Sequence, residues 1–176
     1  VVYRCDLTVG IQRELLAPFE YFGVPDDIDY EQIPWRSSRF DEEALTEQLA
    51  TRKRAQNALE QFQEKGGSRA LGFCCSTRHA NFMREFFLGE GVRAAAVHSA
   101  SGSSDDRQKS LDQLQRGDLE IVFAVDMFNE GVDLPEVDTV MMLRPTESQI
   151  LWLQQFGRGL RRRKHKKLRV IDYIGN

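Results

Sequence analysis

The chain has 176 residues, 41% of them hydrophobic and 29% charged, values of a globular domain with room for a core. Its longest apolar runs, Ile121 to Val125 and Val140 to Leu143, are too short to span a membrane, and no signal-peptide pattern opens the sequence. The net charge of −3 hides an asymmetry. Residues 154–169 hold eight of the 24 Lys and Arg and no acid, which leaves 16 basic against 27 acidic residues elsewhere. A basic patch on an acidic chain points to a localised polyanion partner, with a solvated loop as the plain alternative. Three cysteines, Cys74 and Cys75 adjacent in an apolar run, form neither a disulfide framework nor a metal motif. They are expected to be buried thiols of a cytoplasmic protein. The absence of an initiator Met suggests a fragment of something longer.

In chain order, Val1 to Leu7 reads as a strand and Ile11 to Phe19 as a short helix. Phe22 to Asp27 and Ile33 to Trp35 read as ordered loop. Asp41 to Glu64 reads as one helix, capped by Asp41 and ended at Gly66-Gly67. From Arg69 a rhythm sets in. The apolar runs Ala70 to Cys75, Val92 to Val97, Ile121 to Val125 and Thr139 to Leu143 alternate with helices over Arg78 to Gly89 and from the Ser103–Ser104 region to Gly117. A helix over Ser148 to about Phe156 and a strand over Leu168 to Tyr173 close the chain. Continuous apolar strands alternating with helices predict an α/β fold with a mostly parallel sheet covered on both faces. Ligands of such sheets sit in the loops at the strands' carboxyl ends.

Three clusters fall in those loops or just beyond a helix. Gln154, Arg158 and Arg161 are spaced i, i+4 and i+7, with Gly157 and Gly159 between them. Whether the helix continues or ends there, both guanidinia can converge on one anion. Asp126 to Pro135 leaves a buried strand and presents Asn129, Glu130, Gly131 and Asp133, which is also ordinary turn chemistry. Ser76, Thr77 and Arg78 pass from a strand into a helix, a place suited to a phosphate or to simple capping. His98, just after a strand, reads as a structural histidine. The chain has no Gly-Lys dipeptide, hence no phosphate loop, and no Asp-Glu-x-Asp or Asp-Glu-x-His segment. No metal ligands are expected.

Together these clusters resemble the second RecA-like domain of superfamily 2 helicases. LGFCCSTRHANFM resembles motif IV, AVDMFNEGVDLPEVDTV motif V, and QQFGRGLRR the Q-x-x-G-R-x-x-R arginine-finger motif VI. The stretch VHSASGSSDDRQKSLDQLQRGDLEIVFAVD matches the region between motifs IV and V. LRPTES and the closing VIDYIGN are similar to bacterial DEAD/DEAH-like helicases related to type III restriction subunits. The resemblance covers about residues 69–176 and implies a RecA-like three-layer sandwich there, preceded by an interdomain linker and packing-helix region over 1–68.

It further implies that Arg161 is the finger reaching the γ-phosphate of ATP, with Arg158 its companion and Gln154 and Gly157 beside the nucleotide. Asp133 would contact the ATP ribose or a motif VI arginine, with Gly131 permitting close approach. Ser76, Thr77, Arg78, Val125 and Asp126 would face nucleic acid backbone; Val125 stands where many relatives carry Thr, so that hydroxyl is absent. ATP and Mg2+ would be held mainly by an N-terminal RecA-like domain on the same polypeptide. This chain alone is then expected to be an inactive half of an ATP-dependent DNA helicase or translocase, RNA not being excluded. A non-catalytic nucleic-acid-binding or scaffold module on the same fold is the alternative, and a small-molecule nucleotide enzyme a more distant one.

Overall fold

A computed structural model describes residues 19–37, 39–100, 102–125, 134, 136–145 and 167–174. Among these residues, six strands form one parallel sheet: β1 (Phe19–Pro25), β4 (Ala70–Phe73), β5 (Ala94–Val97), β6 (Ile121–Ala124), β7 (Thr139–Met142) and β8 (Leu168–Ile174). Their spatial order is β1-β8-β7-β4-β6-β5. Two short strands, β2 (Trp35–Arg36) and β3 (Arg39–Phe40), make a separate antiparallel hairpin.

The central strands read ALGF, AAAV, IVFA and TVMM, and every residue in them is buried. Alternation nevertheless decides which layer each side chain joins. Ile121 and Phe123 of β6 enter one core with Met141 and Ile171, while Val122 and Ala124 enter the opposite core with Val140 and Val170. Apolar residues are therefore needed at every position of a strand that is covered twice.

Helix α1 spans Glu42–Leu49, α2 Arg52–Lys65, α3 Thr77–Gly89 and α4 Arg107–Arg116. Side chains of α2 and α3, among them Leu59, Phe62, Met83 and Phe87, fill the first core. Leu111 and Leu114 of α4 fill the second. Phe87 packs edge-on against Phe123 at 5.0 Å between ring centroids and lies 6.2 Å from Phe62. The layers helix, sheet and helix make the RecA-like α/β sandwich that the sequence leads one to expect.

Three expectations are corrected. The single helix over Asp41 to Glu64 is two helices, because Thr51 is extended (φ −116°, ψ 148°) and caps α2 by accepting from the Arg54 N–H. Phe19 to Pro25, read partly as helix end and partly as loop, is a strand paired with β8 along its whole length. The segment upstream of β4 thus contributes β1 to the sheet and α2 to its first core, while Leu45 and Leu49 of α1 pack with Tyr30, Ile33 and Cys75 in a smaller cluster. The expected strand at Val1 to Leu7 and the expected helix at Ser148 to Phe156 fall outside the described residues. α4 is capped by Asp106 rather than by Ser103 or Ser104, and its C-cap is Gly117 in the left-handed region (φ 85°), where a side chain is strained.

Candidate functional site

All six strands are parallel, so their carboxyl ends share one edge of the sandwich. β4 reaches that edge at Phe73, whose partner across the ladder is Ala124 of β6. The next amide, Cys74 N–H, donates to the Ala124 carbonyl at 2.9 Å. The segment Ser76 to Arg78 and residue Val125 therefore leave adjacent strands at the same level. Val125 is half-buried, and its N–H donates to Val97 at 3.3 Å.

Ser76 is the N-cap of α3, and its hydroxyl oxygen accepts from the His79 N–H at 3.1 Å. It also lies 2.6 Å from Thr46 Oγ1, whose own hydrogen goes to the Glu42 carbonyl at 2.7 Å. Ser76 must then be the donor to Thr46, since a hydroxyl has one hydrogen. The Ser76 side chain is 5% exposed and occupied inside the fold, joining α3 to α1. Thr77 is half-buried and Arg78 exposed. They line a groove of about 570 Å³ together with Glu42, Glu43, Asn81, Phe82 and Glu85. Arg78 donates to Glu43 at 2.5 Å, with side chains 55% and 71% exposed. An exposed pair of this kind contributes only about 0–1 kcal/mol, so it yields readily to a competing anion.

Behind this surface lies a buried polar layer. His79 Nδ1 accepts from the Cys75 N–H at 3.3 Å, which places the ring proton on Nε2. Burial, with a smaller contribution from the Arg54 charge, pushes His79 down to about 3. Burial raises the Cys74 thiol well above its ordinary range and raises Cys75 as well, so both stay protonated, as the sequence leads one to expect of buried cysteines. His98 is 4% exposed. Its ring bonds Asn81 Oδ1 at 3.1 Å and accepts from the Ala100 N–H at 3.3 Å, the arrangement of a structural histidine. Burial and then Arg84 lower its pKa.

The sequence reading misses one polar centre at the same edge. Arg54 of α2 is 8% exposed and ion-paired with Asp26, 5% exposed, through Nη2 at 2.8 Å and Nε at 3.2 Å. Its Nη1 donates to the Leu143 carbonyl at 2.8 Å, and its guanidinium lies 4.6 Å over the Tyr173 ring. Tyr30 donates to the same Asp26 oxygen at 2.9 Å. The one available signal is spacing: Arg54, Ala58 and Phe62 are four apart, so the arginine shares the buried stripe of its helix.

Of the other expected site residues, Asp126, Gly131, Asp133, Gln154, Gly157, Arg158 and Arg161 lie outside the described residues. Among the described residues, no group of three or more His, Cys, Asp or Glu is placed to hold a metal ion. No helix among them is long and apolar enough to cross a membrane.

Comparison with known proteins bears on the same residues. The model of the helicase conserved C-terminal domain matches residues 52–163, a stretch that contains all three clusters. A Saccharomyces cerevisiae protein named as a candidate ATP-dependent helicase, IRC3, is 25% identical over 180 residues, covering 99% of this chain and 26% of the relative. The UvrABC system protein B of Thermosipho africanus is 33% identical over 115 residues, 62% of this chain and 17% of the relative. A Lactococcus phage 51.5 kDa protein is 25% identical over 94% of this chain and 36% of its own. The chain thus spans about a third or less of the curated relatives it matches. The Hef helicase domain of Pyrococcus furiosus superposes with a TM-score of 0.53 at 28% identity, over 73% of this chain and 26% of the other. The E. coli DEAD-box protein SrmB shares the fold at 14% identity, with a TM-score of 0.61 over 90% of this chain and 78% of the other.

Proposed function

Because the chain belongs to the helicase conserved C-terminal domain family, as the C-terminal RecA-like domain of a superfamily 2 helicase-like protein, we propose that it supplies the finger half of a shared ATP site in a DNA-dependent ATPase that unwinds or tracks along DNA. The observation that carries this reading is that the matched stretch, 52–163, runs unbroken through Ser76–Arg78, Val125–Asp133 and Gln154–Arg161.

In this reading Arg161 donates to the γ-phosphate oxygens, and Arg158 neutralises charge beside it. Gln154 and Gly157 stand beside the nucleotide, Asp133 contacts the ATP ribose or a motif VI arginine, and Gly131 permits the close approach. ATP with its Mg2+ is held mainly by an N-terminal motor domain, a division of labour that the lack of a Gly-Lys phosphate loop in this chain supports. Phosphoryl transfer is chiefly positioning and charge stabilisation, and an arginine inserted from a second domain contributes roughly 10³–10⁵ in rate. Nucleic acid backbone runs over the carboxyl edge of the sheet, meeting Thr77, Arg78, Val125 and Asp126. Since the Ser76 hydroxyl serves α1 and α3, its share in that contact is indirect: it fixes the first turn of α3, which carries Thr77 and Arg78.

The decisive test is Arg161→Ala in the full-length protein. DNA-stimulated ATP turnover is expected to fall by roughly 10³ or more while ATP binding is retained. Turnover near that of the wild type would sink the assignment. A panel of DNA and RNA effectors in the same assay reports the preferred polymer, expected to be DNA.

A further inference from the structure

The buried Arg54 centre is not used by the reading above, yet it joins four separate parts of the fold. Its guanidinium binds Asp26, just past β1, and donates to the carbonyl of Leu143, just past β7. It covers the ring of Tyr173 in β8 and is itself carried by α2. Leu143 is further tied to β4, since its N–H donates to the Phe73 carbonyl at 3.0 Å. Three properties set this centre apart from an ordinary core contact. A buried ion pair is a poor way to gain stability, because desolvation offsets most of the attraction. Arginine rather than lysine is required, because only a planar fork reaches a carboxylate on one side and a carbonyl on another at once. The carbonyl it holds belongs to the residue just past β7, from which the chain passes, through Arg144 and Pro145, toward Gln154, Arg158 and Arg161 in sequence.

We propose that Arg54 is a positioning residue for the ATPase reaction. By fixing the carboxyl end of β7 against α2 it sets where the chain leaves the sheet on its way to the finger. The proposal rests on the finger reading of Arg161. It requires an effect on turnover separable from an effect on folding, because a small misplacement of a catalytic group costs rate even when the protein stays folded.

The test uses the full-length protein with saturating DNA, well below the melting temperature of each variant. Arg54→Lys keeps the charge toward Asp26 but cannot span to Leu143. Tyr30→Phe removes a hydrogen bond to Asp26 from the same centre and leaves the Leu143 contact intact. The expected result for Arg54→Lys is a kcat about tenfold or more below wild type with KM for ATP within about twofold, while Tyr30→Phe keeps kcat within about twofold despite a lower Tm. A kcat for Arg54→Lys within about twofold of wild type overturns the proposal, as does a loss of kcat in both variants that follows their Tm. If Arg54→Lys does not fold, Arg54→Gln replaces it with the same two outcomes. Arg161→Ala run alongside separates the two ideas. Full activity there removes the finger reading, whereas an inactive Arg161→Ala beside an active Arg54→Lys removes this proposal alone.

Discussion

His79 lies wholly inside the molecule, one residue from the exposed Arg78, with a ring that accepts from Cys75 and carries its proton on a buried Nε2. Its folded pKa of about 3 lies below the ordinary value of 6.5, so the unfolded chain binds the proton first as pH falls. The stability this ring contributes is complete above pH 6.5 and is lost progressively as pH drops from 6.5 toward 3. One proton taken up on unfolding gives a slope of up to about 1.4 kcal/mol per pH unit. Denaturant unfolding of wild type and His79→Gln at pH 7, 6 and 5 measures it. The stability gap between them should narrow as pH falls, and a constant gap would show that His79 titrates normally. Ser76 teaches a related lesson. Its position at a strand-to-helix junction reads equally as cap or phosphate ligand, and only the 2.6 Å approach of Thr46, 30 residues away, shows that the hydroxyl is already occupied.

At the scale of elements, the central strands and α3 are legible because their cause is local: apolar runs of strand length, and a capping serine before a periodic helix. The break between α1 and α2 is hidden because both sides are rich in helix formers, and Thr51 is its one local mark. β1 is hidden because Gly23 and Pro25 imitate turn chemistry. The strand tolerates them because, among the described residues, it lies at the sheet's edge with a ladder on one side. Gly72, in the middle of β4, illustrates the opposite dependence on packing. A Cβ there would lie 2.6 Å from Phe123 Cδ1, on the strand it pairs with. Gly72→Ala is expected to cost about 1–3 kcal/mol by overpacking. Most of that cost should vanish when Phe123 is also changed to Leu, a coupling that thermal or denaturant unfolding of the two single variants and the double variant reads directly.

For the whole molecule, the parallel sheet is what turns separate motifs into one edge. Ser76 to Arg78, Val125, Leu143 and the Arg54 centre come together because β4, β6 and β7 are neighbours and all point the same way. The chain spans about a third or less of its curated relatives, and the function proposed above makes it half of a composite site. The 176-residue chain by itself is therefore expected to bind ATP no more tightly than about 1 mM by calorimetry. Submillimolar binding would contradict the shared-site reading.

The sequence by itself determined the α/β class, the run of buried strands, the helix cap at Asp41, and the three clusters through which the family match runs. Each of these is written in neighbouring residues whose burial or backbone geometry follows from their own chemistry. The tertiary structure alone decided the strand order, the place of β1 beside β8, the occupied hydroxyl of Ser76, and the meeting of Arg54 with Asp26, Leu143 and Tyr173. These depend on partners 28, 30 and 89 positions away in the chain, and on ladder pairs as distant as Phe19 and Leu168. A pairing at such range is set by the closing of the sheet, which no window of neighbouring residues contains.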